Sequence, residues 1–361
     1  MKSLFKTAVF CLAVACISPV FTSCSKDSDE TVQNNADKTE INKELTACKA
    51  LLAAATTADY KQESIDAFKA VIDLVDAALA KDPTQTVVNN LLKQLQEAKS
   101  TFEQSAFNAI PEDKLLLNWD FDTEGTSLAS TGTLKWNAVL KAGPSEVFGS
   151  DTDVPKFVDG VKGKALSFDK GAHLEVSDYS PNALLGSQLS ISVWVKPSKT
   201  VAGNYIISLN YWNTFKLNLE NENKPFFTFA SNQGVADCDN EMPQSVPNNK
   251  WSHVVIALNY TAKTLDFYVN GELTKSWTTT GKPQLAGSWA TGWAPANGGQ
   301  LPLMIGACTT YAEATSWDWV TDGFTPNTWD CFHGEIDQMK IYSIALGEGQ
   351  VSKLYNDEKS K

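Results

Sequence analysis

The 361-residue sequence contains no arginine. All 30 of its basic residues are lysines, and 42 aspartates and glutamates bring the formal net charge to −12. A nucleic-acid-binding protein needs a basic surface and usually arginine forks, so the composition argues against that class. Lysine offers a point charge in place of two parallel donors, which disfavours a site that clamps a carboxylate, phosphate or sulfate bidentately.

Histidine is also scarce, whereas aromatic residues are abundant. Only three histidines occur, at positions 173, 253 and 333, and there is no Cys-x-x-Cys pair, so a His/Cys metal centre is not indicated. Tryptophan, tyrosine and phenylalanine together number 37. The composition therefore predicts a neutral partner that is bound by aromatic faces.

The sequence has no apolar run long enough to cross a bilayer. Lys2 and Lys6 precede an apolar segment at 8–17, whereas a membrane-spanning helix needs about twenty residues. The pattern predicts a secretory signal peptide at residues 1–23.

The end of this segment, VFTSC at 20–24, resembles the lipobox of bacterial lipoproteins. The resemblance implies a lipid on Cys24; the alternative is an ordinary cleavage site with an incidental cysteine. Residues 24–38 are predicted to be a flexible tether. Their acidic start resembles the stretch that follows the lipidated cysteine in some surface-exposed Gram-negative lipoproteins. We therefore expect a lipid-anchored outer-membrane protein exposed at the cell surface.

No glycine occurs between residues 24 and 124, and all 21 glycines lie from Gly125 onward. In this glycine-free part, apolar residues recur at alternating spacings of three and four in three segments, which predicts a three-helix bundle at 39–108. Cys48 falls on an apolar stripe and is predicted to be a buried free thiol. The segment resembles FIVAR-type helical modules of bacterial surface proteins. We interpret it as a spacer, with partner or sugar binding as the alternative, followed by a linker at 109–114.

From Leu115 onward, short alternating segments are separated by Gly, Pro, Asn and Asp. The pair Asn270-Gly271 after one of them predicts a tight hairpin, because both residues tolerate a positive φ. Many such strands with almost no helical pattern predict a large antiparallel β-sandwich at 115–357.

Seven short motifs follow one another in this part: NWDFD at 118–122, GVKGKALSFD at 160–169, SVWVKP at 192–197, WSHV at 251–254, FYVNG at 267–271, PLMIG at 302–306 and GEIDQMKIY at 334–342. Together they resemble a laminin G-like domain of the concanavalin A-like lectin/glucanase superfamily. The resemblance implies a mainly β, jelly-roll sandwich of two curved sheets. It also implies a ligand-binding module, with carbohydrate as the commonest ligand.

The segment 280–330 is long for this family and rich in aromatic residues. Sugar rings stack on flat aromatic faces, and their hydroxyl groups need carboxylates and amides beside them. The alternative is that these rings pack the segment onto the sandwich. The candidate ligand contacts are Trp289, Trp293, Tyr311, Trp317, Trp319, Asp322 and Trp329, with Tyr211 and Trp212 as a second group.

Related sandwiches often hold a structural calcium ion near the first and last strands. The resemblance implies Asp337 as a ligand, with Asp122 and Asp169 at acidic positions nearby, and calcium accepts such carboxylates. Solvated turn residues are the alternative. Cys308 and Cys331 bracket a predicted loop between paired strands, so a disulfide and two free thiols both remain open.

Some hydrolases of this fold carry Glu-x-Asp-x-x-Glu on a strand, with two glutamates as the catalytic pair. Here the string starting at Glu335 has Lys340 in place of the second glutamate, and a lysine cannot replace one member of a carboxyl pair. The sequence therefore predicts a non-catalytic envelope lipoprotein whose sandwich binds a glycan or glycoprotein. The alternatives are a protein-binding adhesin or assembly subunit, and a divergent glycoside hydrolase.

Overall fold

The computed structural model describes residues 36–57, 59–107, 109–290, 300–316 and 329–359. Among these residues, none of the helices combines the length and apolar character needed to span a membrane.

Three helices form the N-terminal part: α1 (Thr39–Ala54), α2 (Gln62–Leu79) and α3 (Gln85–Gln104). Their apolar stripes meet in one core of buried residues. Thr84 caps α3, and its side chain accepts a hydrogen bond from the backbone of Val87 at 3.5 Å. Cys48 is fully buried and free, as predicted.

In the remaining described residues, the chain forms sixteen strands and four short or terminal α-helices. The strands are β1 (Leu115–Trp119), β2 (Ser127–Ala129), β3 (Asn137–Lys141), β4 (Lys156–Asp159), β5 (Lys164–Phe168), β6 (His173–Val176), β7 (Gln188–Pro197), β8 (Asn204–Leu209), β9 (Phe215–Leu219), β10 (Pro225–Ser231), β11 (Gly234–Asp239), β12 (Ser252–Asn259), β13 (Thr264–Val269), β14 (Glu272–Thr278), β15 (Leu303–Ile305) and β16 (Gly334–Tyr342). The helices are α4 (Ser145–Phe148), α5 (Pro181–Leu184), α6 (Tyr311–Ala314) and α7 (Glu348–Glu358).

The strands form two antiparallel sheets. The front sheet has the order β11-β10-β9-β8-β15-β6-β3-β2. The back sheet has the order β14-β13-β12-β7-β16-β5-β4, and β1 also pairs with β16. Asn270 and Gly271, which join β13 to β14, have φ values of 53° and 84°, so the predicted hairpin turn is confirmed.

The two sheets pack face to face through one large apolar core. Side chains alternate along each strand, so that on β9 Phe215, Leu217 and Leu219 enter the core while Lys216 and Asn218 point to the other side of the sheet. The predicted fold, a mainly β sandwich of two antiparallel sheets, is confirmed.

Helix α7 covers the outer side of the back sheet. Leu346 and Val351 pack there against Val255, Tyr268 and Tyr342. The N-terminal helices also contact this end of the molecule, where Lys61 forms ion pairs with Glu272 at 3.2 Å and Glu348 at 2.8 Å. The outer side of the front sheet lies away from α7, and part of it, at Met304 on β15, packs against Tyr311 and Trp329.

Candidate functional site

Aromatic residues gather around one lysine on the outer side of the front sheet. Tyr205 on β8, Lys216 on β9 and Phe226 on β10 lie outside the main core, and a turn after β8 adds Tyr211 and Trp212. We call these five residues the front-sheet site.

The turn that carries Tyr211 and Trp212 has an unusual backbone. Asn210 and Tyr211 have φ values of 54° and 53°, in the left-handed region that non-glycine residues rarely adopt. The hydroxyl of Tyr205 donates to that of Tyr211 across 3.0 Å. Trp212 then stands edge-on to Tyr211, with 4.0 Å between the ring centres, and keeps 40% of its surface exposed. The strained turn thus presents one large aromatic ring to solvent.

Lys216 lies in the middle of these rings. Its Nζ is 5.0 Å from the centre of the Phe226 ring, 5.2 Å from Trp212, 5.4 Å from Tyr205 and 5.6 Å from Tyr211. The residue is 4% exposed, and burial lowers the pKa of its ammonium group. The rings stabilise the cation through their π faces but offer no strong hydrogen-bond acceptor.

Three polar side-chain atoms on β8, on β9 and in the turn after β8 lack hydrogen-bond partners among the described residues. In the described part of the chain, Ser208 Oγ, Asn210 Oδ1 and Asn218 Oδ1 are buried and have no hydrogen-bond partner. Buried polar groups are normally paired, because an unmade hydrogen bond costs about 1–3 kcal/mol. A ligand that offers several hydroxyl groups would satisfy such atoms.

Asp330 borders the site from the segment that follows β15. A Cβ on Gly203 would lie 3.2 Å from the Asp330 carboxyl group, so the residue sits beside the start of β8. Burial raises the pKa of Asp330 to about 6, although Lys216 acts in the opposite direction. The site therefore combines aromatic rings, a cation and a carboxyl group with an intermediate pKa.

Two of the predicted ligand contacts are buried instead. Trp289 is 8% exposed, packs on Phe215 and Tyr260 in the main core, and donates its indole N–H to Gly186 O at 2.9 Å. Trp329 is 5% exposed and donates to Thr309 O at 3.1 Å. These positions do not support ligand contact, and the packing alternative describes both tryptophans.

The other aromatic candidates fall into two groups. Tyr311 is half-buried and packs with Trp329 and Met304, and Met304 lies opposite Ser208 on β8. Tyr211 and Trp212 are at the front-sheet site. Trp293, Trp317, Trp319 and Asp322 lie outside the described residues, as does Cys24.

Two of the three carboxylates predicted as calcium ligands, Asp337 and Asp122, lie at the same turn, and Asp169 lies apart from them. Asp337 Oδ2 accepts backbone hydrogen bonds from Val161 at 2.8 Å and Lys162 at 3.2 Å, and Asp122 Oδ1 accepts one from Lys164 at 2.8 Å. Both residues thus hold the turn between β4 and β5. Asp169 follows the far end of β5, about five residues of extended strand away.

These positions do not fit a site in which three carboxylates share a calcium ion. The described residues hold no group of three or more His, Cys, Asp or Glu side chains placed to bind a metal. Calcium prefers six to eight oxygen ligands, and the Asp337 and Asp122 oxygens named above already accept backbone N–H groups. Calcium binding stays a prediction from the sequence.

Cys308 and Cys331 are both free and buried. Ala307 pairs with Cys331 across a short antiparallel bridge, so Cys308 points to the opposite side of the ladder from Cys331. Cys308 contacts Tyr205 and Tyr211, whereas Cys331 packs with Met304 and Trp329. A disulfide would need the backbone to move.

The carboxylates of the hydrolase-like string are engaged in structural contacts. Glu335 pairs with Lys196 at 3.0 Å, and Lys340 pairs with Glu358 at 2.7 Å. Burial raises the pKa of Asp337 to about 7, against its backbone hydrogen bonds. This string does not form the pair of facing carboxyl groups that a retaining glycosidase needs.

Sequence reasoning missed Lys216, Tyr205, Phe226 and Asp330. A signal was present for Lys216, because FKLNL at 215–219 alternates apolar and polar residues and predicts a polar row on one side of a strand. The approach of Asp330 depends on strand order, which alternation does not encode.

The solved structures to which this chain is similar include several binding domains. Domain 4 of AbnA, an extracellular arabinanase from Geobacillus stearothermophilus solved with arabinotriose, has a TM-score of 0.47 and 19% identity over 67% of this chain and 98% of its own. The binding domain of Paraclostridial Mosquitocidal Protein 1 has a TM-score of 0.44 and 15% identity over 68% of this chain and 52% of its own.

A structure of botulinum neurotoxin type C has a TM-score of 0.45 and 17% identity over 69% of this chain. Cell entry of that toxin is described as dependent on interaction with two ganglioside molecules. The matches span 52% of each of the two toxin chains. No curated protein matches the sequence.

The sequence model of one protein family matches residues 168–321, which run from the end of β5 past α6. The family is described as the concanavalin A-like lectin/glucanases superfamily. This part of the sandwich is therefore similar in sequence to that superfamily.

Proposed function

We propose that the protein is a non-catalytic carbohydrate-binding protein of the cell envelope, and that its front-sheet site binds the glycan. The observation that carries the proposal is that the exposed Trp212 ring lies on the same side of one sheet as Ser208 Oγ and Asn218 Oδ1, which are buried and lack a hydrogen-bond partner among the described residues. Sugars offer both an apolar ring face and hydroxyl groups, so they match both features.

The family and the neighbours support the same proposal. The matched superfamily is named for lectins as well as glucanases, and one neighbour was solved with arabinotriose. The carboxylates of the hydrolase-like string are bound by Lys196 and by backbone N–H groups, which supports binding without catalysis.

A glycan panel tests the proposal. We expect the full chain to bind a subset of glycans and the Trp212→Ala variant to lose most of that binding. Leu273→Ala is the matched control, because Leu273 is 44% exposed but lies on β14 of the back sheet. Equal binding by Trp212→Ala and the wild type would reject this site. If the folded protein bound no glycan, a protein partner would become the better proposal.

We further propose that a lipid on Cys24 anchors the protein to the outer membrane, with the sandwich exposed at the surface. The support is the lipobox-like VFTSC at 20–24. Full-length protein made in a Gram-negative host should partition into detergent, and its N-terminal peptide should carry the mass of a lipidated cysteine. A Cys24→Ala variant should partition into water, and equal partitioning of both would reject the anchor.

A further inference from the structure

Among the residues that the structure describes, Lys216 is a buried cation without an anionic partner. It is 4% exposed, yet within the described part of the chain its Nζ makes neither an ion pair nor a hydrogen bond. Its contacts there are the four aromatic rings of the site. An ammonium group has three N–H donors, and a buried charge is normally paired.

The nearest carboxylates do not provide that partner. Asp237 accepts the hydroxyl of Thr228 at 2.5 Å, and Glu220 accepts the amide of Asn218 at 3.2 Å. Both attract the Lys216 charge from a distance, as Asp330 does, but desolvation outweighs them and the pKa of Lys216 is lowered. Among the described residues, no acceptor is therefore in direct contact with Lys216 Nζ.

We propose that the front-sheet site takes a glycan that carries a carboxylate, and that this carboxylate binds Lys216 Nζ beside Trp212. The proposal rests on the proposed function and specifies its ligand class. A single oxyanion contact suits a lysine, which does not need the fork that arginine provides. The partner is then an acidic sugar rather than the neutral one that composition predicted.

The protonation state of Asp330 should affect the affinity of the site for such a ligand. Its pKa of about 6 means that lowering the pH from 7 to 5.5 protonates it, which removes a repelling charge and creates an O–H donor for the ligand carboxylate. Within the described residues, the titratable groups that interact with Asp330 are Lys216, Glu220, Tyr205, Tyr211, Cys308 and Cys331. Affinity for acidic glycans should therefore rise severalfold over this pH interval.

The test compares ligands that differ only in charge. The full chain is titrated with an oligogalacturonide and with its methyl ester, and in a second arm with sialyllactose and its methyl ester. The variants are Lys216→Met and the matched control Lys275→Met, whose lysine also lies over a tryptophan, 4.2 Å from the Trp277 ring, but on the back sheet.

We expect one acidic ligand to bind at least about tenfold more tightly than its neutral counterpart, as a direct charged hydrogen bond allows. The Lys216→Met variant should lose this preference, and Lys275→Met should keep it. Which arm responds identifies uronates or sialates as the source of the carboxylate.

Equal or weaker binding of both acids would overturn the inference while leaving glycan binding intact. This comparison uses the wild type, so it stands even if Lys216→Met does not fold. Binding of no glycan, neutral or acidic, would reject the proposed function itself.

Discussion

Glu358 and Lys340 form a buried ion pair, with 2.7 Å between Oε1 and Nζ, and thereby fix the C-terminal helix to the last strand. The other carboxylate oxygen of Glu358 accepts the indole N–H of Trp194 at 2.7 Å. Glu358 is 4% exposed, so its charge depends on these partners.

Replacing Glu358 by alanine should therefore destabilise the fold strongly. Removing one partner of a buried pair leaves the other charge uncompensated, which typically costs about 3–5 kcal/mol. Asp357→Ala is the control, because the exposed pair of Asp357 with Lys353 contributes little. Urea unfolding measures both variants, and equal midpoints would show that the buried pair does not hold α7.

The buried imidazole of His253 should make the folded protein less stable in acid. Burial, with Lys340 as the second cause, lowers its pKa to about 3, whereas the unfolded chain takes up a proton near pH 6.5. Below pH 6.5 the unfolded state therefore binds more protons, and stability falls by about 1.4 kcal/mol per pH unit until the folded pKa is reached.

A His253→Gln variant isolates this contribution. Between pH 7 and pH 5, the wild type should lose about 2 kcal/mol more unfolding free energy than the variant. The charged groups nearest the ring are Lys340 and Glu358, which both proteins retain. Parallel stability curves would mean that His253 does not titrate in this way.

The cysteines provide a third prediction. Because Cys308 and Cys331 point to opposite sides of the ladder, both thiols should react with an alkylating agent after unfolding without reductant. Peptide mass mapping reads each site separately, with Cys48 as an internal free-thiol control. A linked peptide containing Cys308 and Cys331 would show that this part of the fold differs from the one described.

The helices and the sandwich were predictable because their signals are local. The stripe of Ile41, Leu45 and Cys48 repeats at helical spacing, and Asn270-Gly271 fits few structures besides a tight hairpin. Residues distant in sequence made the candidate site harder to predict. Tyr205, Lys216 and Phe226 come together only through the pairing of β8, β9 and β10.

The abundance of aromatic residues in the segment 280–330 was a misleading signal for the position of the ligand contacts. A tryptophan in a loop-rich segment fits both a binding surface and a packed loop, and only the three-dimensional path decides between them. Trp289 and Trp329 are buried with their indole N–H groups bonded to backbone oxygens, whereas Trp212 remains 40% exposed because it stands at the corner of a strained turn.

The central claim, that the front-sheet site binds the glycan, is tested most directly by fluorine NMR of the full chain labelled with 5-fluorotryptophan. The Trp212 signal is assigned with a Trp212→Phe variant, and the buried Trp119 and Trp194 serve as internal controls. Titration with the tightest glycan from the panel should shift the Trp212 signal and leave those two unchanged. Saturating binding with no change at Trp212 would contradict the account.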